Sequence, residues 1–211
     1  APLSGIKQKL RKKLQDFPTE EWSNILSQPE PKTRAEFLKY SCQITVDPNT
    51  AHTRLLLSEG NRKVTLMEDQ SYPCHPDRFN GWPQVLSRES LTGRHYWEVK
   101  WGDAYVSIAV AYKDTSRNGD KSLFGSDDKS WALDCHCSQF RHNSIKTPTS
   151  VDVSYRVGVY LDHRAGILSF YNISKPMTLI HRVETTFTQP LHVGIMINFI
   201  NEGSAEFCRL K

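Results

Sequence analysis

Gly93-Arg94-His95-Tyr96-Trp97-Glu98-Val99-Lys100-Trp101 is the stretch whose reading decides the fold. Successive side chains of a strand point to opposite faces. Trp97, Val99 and Trp101 therefore share one face, and Glu98 and Lys100 share the other, as in a strand that rests on a core with one side. The period of two recurs next along the chain, where Val106, Ile108 and Val110 point inward and Tyr105 and Ser107 outward. It recurs again where Trp131, Leu133, Cys135 and Cys137 alternate with Ala132, Asp134 and His136. Residues 43–46, 55–57, 63–67, 96–101, 106–112, 130–137, 156–162, 167–171, 191–200 and 205–210 all read as strands. Short strands separated by Gly, Pro, Asn and Asp predict an all-β, two-sheet antiparallel sandwich. The clearest hairpin is Leu161 to Leu168, two apolar arms around a polar turn that contains Gly166.

Residues 1–40 follow a different period. Leu3, Ile6, Leu10, Leu14 and Phe17 recur at steps of three and four, which predicts an amphipathic helix stopped by Pro18. Thr19, with Glu20 and Glu21 behind it, starts a second helix that carries Trp22, Ile25 and Leu26. Thr33 and Glu36 have the spacing of a capping box, so a short third helix runs through Phe37, Leu38 and Tyr40. The reading is a helical linker, the end of a coiled-coil region, followed by a sandwich over residues 41–211.

Composition narrows the function classes. The 211 residues include 38% hydrophobic and 24% charged side chains, an ordinary globular balance. No apolar run approaches the ~18 residues of a membrane helix. The net charge of +4 comes wholly from residues 1–17, where Lys7, Lys9, Arg11, Lys12 and Lys13 face Asp16, while residues 18–211 hold 22 charges of each sign. Any attraction to RNA or to an anionic membrane surface therefore has to sit on the first helix or on a local patch. Five cysteines in no tight framework predict reduced thiols and a cytoplasmic setting.

Particular words in the chain carry a family resemblance. Val46-Asp47-Pro48, then Gly93-Arg94-His95-Tyr96-Trp97-Glu98-Val99, then Tyr160-Leu161-Asp162 with Gly166-Ile167-Leu168-Ser169-Phe170-Tyr171 occur in that order. Leu57-Ser58, Asn61-Arg62, Phe79, Trp82-Pro83-Gln84-Val85-Leu86, Phe187 and Pro190-Leu191 support them. Together they resemble the PRY-SPRY (B30.2) domain, with a PRY part over about 41–92 and a SPRY part over about 93–211. The lead-in from Pro29 to Lys39 resembles the fish branch, found in tripartite-motif ubiquitin ligases and in stonefish-type cytolysins. The resemblance implies a non-catalytic module that recognises a protein target through a shallow, loop-lined pocket. In that case it is the substrate-recognition end of a coiled-coil homodimeric ligase of innate immunity whose RING lies upstream. It also implies that outward positions on two strands, with loop aromatics, line the pocket. By position these are Tyr105, Ser107, Asp134, His136, Phe140 and Arg141, with Met196 and Asn198 from the late strand. The alternatives are RNA or membrane-surface binding by the basic helix, and the C-terminal domain of a secreted pore-forming toxin.

Catalytic motifs do not compete with this reading. The chain has no GxSxG elbow, no GxxxxGK[ST] loop, no GxGxxG after a strand and no HExxH. Asp162-His163 and Cys74-His75 are adjacent pairs in turns, where neighbouring side chains diverge. Cys135-His136-Cys137 has one intervening residue, too few for an easy tetrahedral zinc pair, so both thiols are expected on the core face and no metal or cofactor is expected. His95 occupies the place where butyrophilin-type relatives bind a small phosphorylated ligand, and the expectation here is a packed, hydrogen-bonded ring. Asn172-Ile173-Ser174 is a sequon that matters only in a secreted chain.

Overall fold

In the computed structural model, which describes residues 28–210, the Thr33 cap forms as expected. Thr33 Oγ1 accepts from the Glu36 amide at 3.3 Å, opening α1 (Arg34–Phe37), which tightens into a 3-10 turn over Leu38–Tyr40. The two earlier helices, and with them the basic residues proposed for RNA, lie outside the described residues.

Among the described residues, thirteen strands form two antiparallel sheets. One has the order β1 (Leu55–Ser58), β2 (Lys63–Leu66), β13 (Ser204–Phe207), β4 (Arg94–Gly102), β9 (Arg156–Asp162), β10 (Ile167–Asn172), β11 (Thr178–Glu184). The other runs β3 (Gln84–Leu86), β12 (Leu191–Asn198), β5 (Tyr105–Tyr112), β6 (Ser130–Asp134), β7 (Gln139–His142), β8 (Ile145–Pro148). Their inner faces meet in one core that contains Trp97, Val99, Val157 and Phe170 from the first sheet. Val106, Ile108, Val110, Trp131, Leu133 and Ile195 fill it from the second. The strand parity read from Trp97 and Val106 is therefore correct. In the Leu161 to Leu168 hairpin, Gly166 has φ +73°, and its missing Cβ leaves room for the Thr185 carbonyl. Asp162 Oδ1 accepts from the Ala165 amide at 3.0 Å inside the same turn.

Several boundaries differ from the expectation, each for a local reason. Residues 43–46 make no ladder, because the Val46 amide bonds to the Asn61 carbonyl and the Thr45 amide to the Glu89 carboxylate. The strand at 130–137 stops at Asp134, where Cys135–Cys137 turn into a 3-10 segment and Ser138 is left-handed at φ +52°. The strand at 191–200 stops at Asn198, because Phe199 is left-handed at φ +67°. Strands β3, β7, β8 and β11 were not expected; β8 is exposed at every position, so no alternation marks it.

The outer face of the first sheet is roofed by α1. Phe37 packs on Tyr96 at 5.3 Å and on Tyr160 at 5.0 Å, and all three rings are fully buried. Beside them Glu98, which reads from the sequence as solvent-facing, has no exposed surface. It accepts from Arg34 Nε at 2.8 Å, Arg156 Nη2 at 2.7 Å and the Tyr96 hydroxyl at 2.6 Å. This carboxylate joins the lead-in helix to two strands. Burial alone would raise its pKa, but the donated bonds from Arg34, Tyr96 and Arg156 outweigh that and hold it below the ordinary carboxylate value. A depressed folded-state pKa contributes stability that is present above the unfolded value and is lost as pH falls through the folded one. The urea midpoint of Glu98→Gln should therefore lie below that of the parent at pH 6, and the gap should narrow between about pH 5 and 3. A gap that stays constant over that range would remove Glu98 from the acid response.

Candidate functional site

The outward face of the second sheet is not open surface. Residues 117–126 fold across it as a strap, pinned by the buried Gln84 side chain. Its Nε2 donates to the Ser122 carbonyl at 2.7 Å, and its Oε1 accepts from the Phe124 amide at 2.8 Å. The Phe124 ring lies over Gly194, where a Cβ would sit only 2.7 Å from the ring, and Phe79 meets it edge-on at 5.5 Å. Arg141 Nε and Nη2 donate to the Phe124 carbonyl at 3.0 and 2.8 Å. Its Nη1 pairs with Asp134, whose other oxygen accepts from the Ser107 hydroxyl at 2.5 Å. Met196 packs with Phe79 and Phe124 in this second cluster.

Five of the eight expected site residues are thus corrected. Ser107, Asp134, Arg141 and Met196 do point away from the inter-sheet core, but all four are buried. Phe140 points the other way, into the core, where it stacks on His181 at 4.3 Å. Cys137 is corrected as well: the 3-10 turn exposes it and leaves only Cys135 buried. The sequence signal for the strap was present in Leu123-Phe124-Gly125, an apolar word inside an otherwise polar loop.

The remaining three gather at one end of the sandwich. Tyr105 opens β5 and is 40% exposed; its ring lies 4.3 Å from His136 and meets Phe199 edge-on at 5.0 Å. Phe199 is 71% exposed and Ile200 44%, both in the turn from β12 to β13, with Asn198 half-buried beside them. Partial burial pushes the His136 imidazole below its ordinary range; the Asp134 carboxylate opposes that shift without cancelling it, so the ring is neutral near pH 7. Asp103, Ser138, Phe199 and Glu202 bring left-handed backbone to this end, with φ between +46° and +69°. Non-glycine residues hold that conformation at a cost, and such positions concentrate at functional sites. Phe199 and Ile200 were missed because they read as the end of an apolar strand; Asn201-Glu202-Gly203 immediately after them was the available turn signal.

Groups that looked chemical are committed to the fold. His95 Nε2 lies 2.7 Å from the Thr92 carbonyl, so the half-buried ring is hydrogen-bonded within its own turn. Arg94 pairs with Asp162 at 3.0 Å and lies over the Tyr40 ring at 5.6 Å. His163 Nε2 contacts the Gln189 carbonyl at 2.6 Å. The sequon residue Asn172 holds the 152–154 backbone, accepting from the Ser154 amide and donating to the Asp152 carbonyl, each at 2.8 Å. Among the described residues, no group of three or more His, Cys, Asp or Glu side chains could hold a metal ion. The rings of Tyr105, His136 and Phe199, by contrast, form an exposed aromatic patch.

Comparison with known proteins agrees with this architecture. Residues 44–91 match the family model described as PRY, the SPRY-associated domain, and residues 94–209 match the SPRY domain. Tripartite motif-containing protein 16 of Mus musculus is 36% identical over 209 residues, covering 89% of this chain and 38% of that protein. Stonustoxin subunit beta of Synanceia horrida is 39% identical over 175 residues, covering 79% and 25%. The solved stonustoxin structure superposes with a TM-score of 0.75 at 37% identity, over 84% of this chain and 29% of that one. The crystal structure of the TRIM65 PSpry domain gives 0.74 at 25% identity, over 87% of this chain and all of that one. The chain spans a quarter to about two-fifths of the length of these two curated relatives. With two sheets, a roofing lead-in helix and both halves of the match in register, the chain belongs to the PRY-SPRY (B30.2) family.

Proposed function

We propose that this domain, a protein-interaction module of the kind carried by tripartite-motif proteins, captures a protein target at the patch formed by Tyr105, His136, Phe199 and Ile200. On this reading it is the non-catalytic substrate-recognition end of a cytoplasmic, coiled-coil ubiquitin ligase of innate immunity. The observation that carries the reading is Phe199, a large aromatic side chain held outward on left-handed backbone against Tyr105. Exposed aromatics surrounded by polar turns are the usual anchors of a protein interface. The five free cysteines favour a reducing compartment.

The test is capture by the full-length protein with Tyr105→Ala and Phe199→Ala combined. Exposed changes leave stability within ~0.5 kcal/mol, whereas truncated anchors cost about 2 kcal/mol of binding, roughly thirtyfold. Undiminished capture by a normally folded double variant would end this reading. The stonustoxin likeness supports a second reading, the C-terminal domain of a cytolytic toxin. Upstream RING and B-box zinc spacings favour the ligase, and lysis of erythrocytes by the full-length protein favours the toxin. Loss of target capture on RNase treatment, or on deletion of residues 1–17 alone, would transfer the function to Lys7, Lys9, Arg11, Lys12 and Lys13.

A further inference from the structure

The patch is built from four segments that the structure ties together. The β4–β5 turn supplies Asp103, the start of β5 supplies Tyr105, and the β12–β13 turn supplies Phe199 and Glu202. The 3-10 segment Cys135–Cys137 supplies His136. Residues 149–155 close one side: the Ser138 hydroxyl accepts from the Val153 amide at 3.0 Å, and Trp101 Nε1 donates to the Ser154 carbonyl at 2.9 Å. The two turns are in contact, since a Cβ on Gly203 would collide with the Ala104 Cβ at 2.3 Å.

The charges on these segments have one sign. Asp103, Asp152 and Glu202 are exposed, and none of them forms an ion pair among the described residues. The segments carry no lysine or arginine, and their histidine is neutral near pH 7. Arg54, in the turn before β1, and Lys146 of β8 border the patch. Arg54 Nη2 is bonded to the Asn201 side chain at 3.0 Å, and Lys146 acts on Cys137. Arg156, the next cation along the chain, is held on Glu98. Aromatic faces beside unpaired carboxylates attract a guanidinium or ammonium group, through the ring quadrupole and through Coulomb attraction together.

We infer that the occupant of this patch is a basic segment of a protein partner, one that sets an arginine or lysine against Tyr105 and Phe199 between the Asp103 and Glu202 carboxylates. This rests on the patch being the recognition site, and the experiment separates the two claims. The 211-residue chain is used to select from a random-peptide display library, and the enriched peptides are titrated by fluorescence anisotropy. Enriched peptides should carry net positive charge next to an apolar residue and should lose affinity as salt rises. Asp103→Lys with Glu202→Lys should weaken them at least tenfold at an unchanged melting temperature, and the same variant should select acidic peptides instead. Neutral or acidic peptides that bind the parent and need Phe199 would overturn the basic-partner inference while leaving the site in place. Enrichment that survives Phe199→Ala, or no Phe199-dependent enrichment, would overturn the site and the inference with it. A dimer in sedimentation that Phe199→Ala dissociates would assign the patch to a second copy of this chain and overturn the basic-partner inference.

Discussion

Asp134→Ala should lower stability by about 3–5 kcal/mol, because removing one partner of a buried ion pair leaves the other charge uncompensated. Arg141 is 8% exposed and would lose its carboxylate while still held at the Phe124 carbonyl. The Ser107 hydroxyl would lose its acceptor in the same cluster. For a domain of this size the change corresponds to a fall in melting temperature on the order of 10 °C. His136→Ala, two residues away on the exposed turn, should leave the melt within a degree or two. The pair of melts separates a structural carboxylate from a surface imidazole. Parent-like melting of Asp134→Ala would mean that the strap over the outer face does not seal this pair from water.

Trp97→Ala should cost about 3–5 kcal/mol, the range for deleting a large aromatic from a packed interior. Trp97 is 1% exposed and sits between the sheets with Val99 and Val159, so the cavity would open in the middle of the core. Its indole Nε1 has no hydrogen-bond partner among the described residues. Trp97→Phe should accordingly cost much less than the alanine change, because it removes volume without orphaning an acceptor. Equal losses for the two substitutions, read from chemical denaturation midpoints, would contradict the placement of Trp97 in a packed interior.

Parity was legible in the sequence wherever one face of a strand meets the inter-sheet core. Trp97 and Val99, Val106 to Val110, and Trp131 with Leu133 all point where alternation places them. The cap at Thr33 and the turn at Gly166 were legible too, because each follows from one residue's local chemistry. What alternation cannot say is whether the opposite face meets water. The outer face at Tyr96 and Glu98 is covered by a helix more than fifty residues earlier in the chain, and the face at Ser107 and Asp134 by a strap between β5 and β6. A buried polar side chain such as Asp134 is indistinguishable from an exposed one until its partner, here Arg141 on the next strand, is in place. Phe199 and Ile200, the residues proposed for recognition, were hidden for the opposite reason. Their apolar character continues a strand, and only the reversal of φ at Phe199 takes them out of it.

Amide hydrogen exchange of the domain, alone and with its captured partner, tests the recognition surface most directly. Residues 102–105, 135–138 and 199–203 should exchange more slowly in the complex, while the strap at 117–126 and the helix at 34–40 keep their free rates. Protection centred on the strap or on the lead-in helix, with the 199–203 turn unchanged, would contradict the assignment.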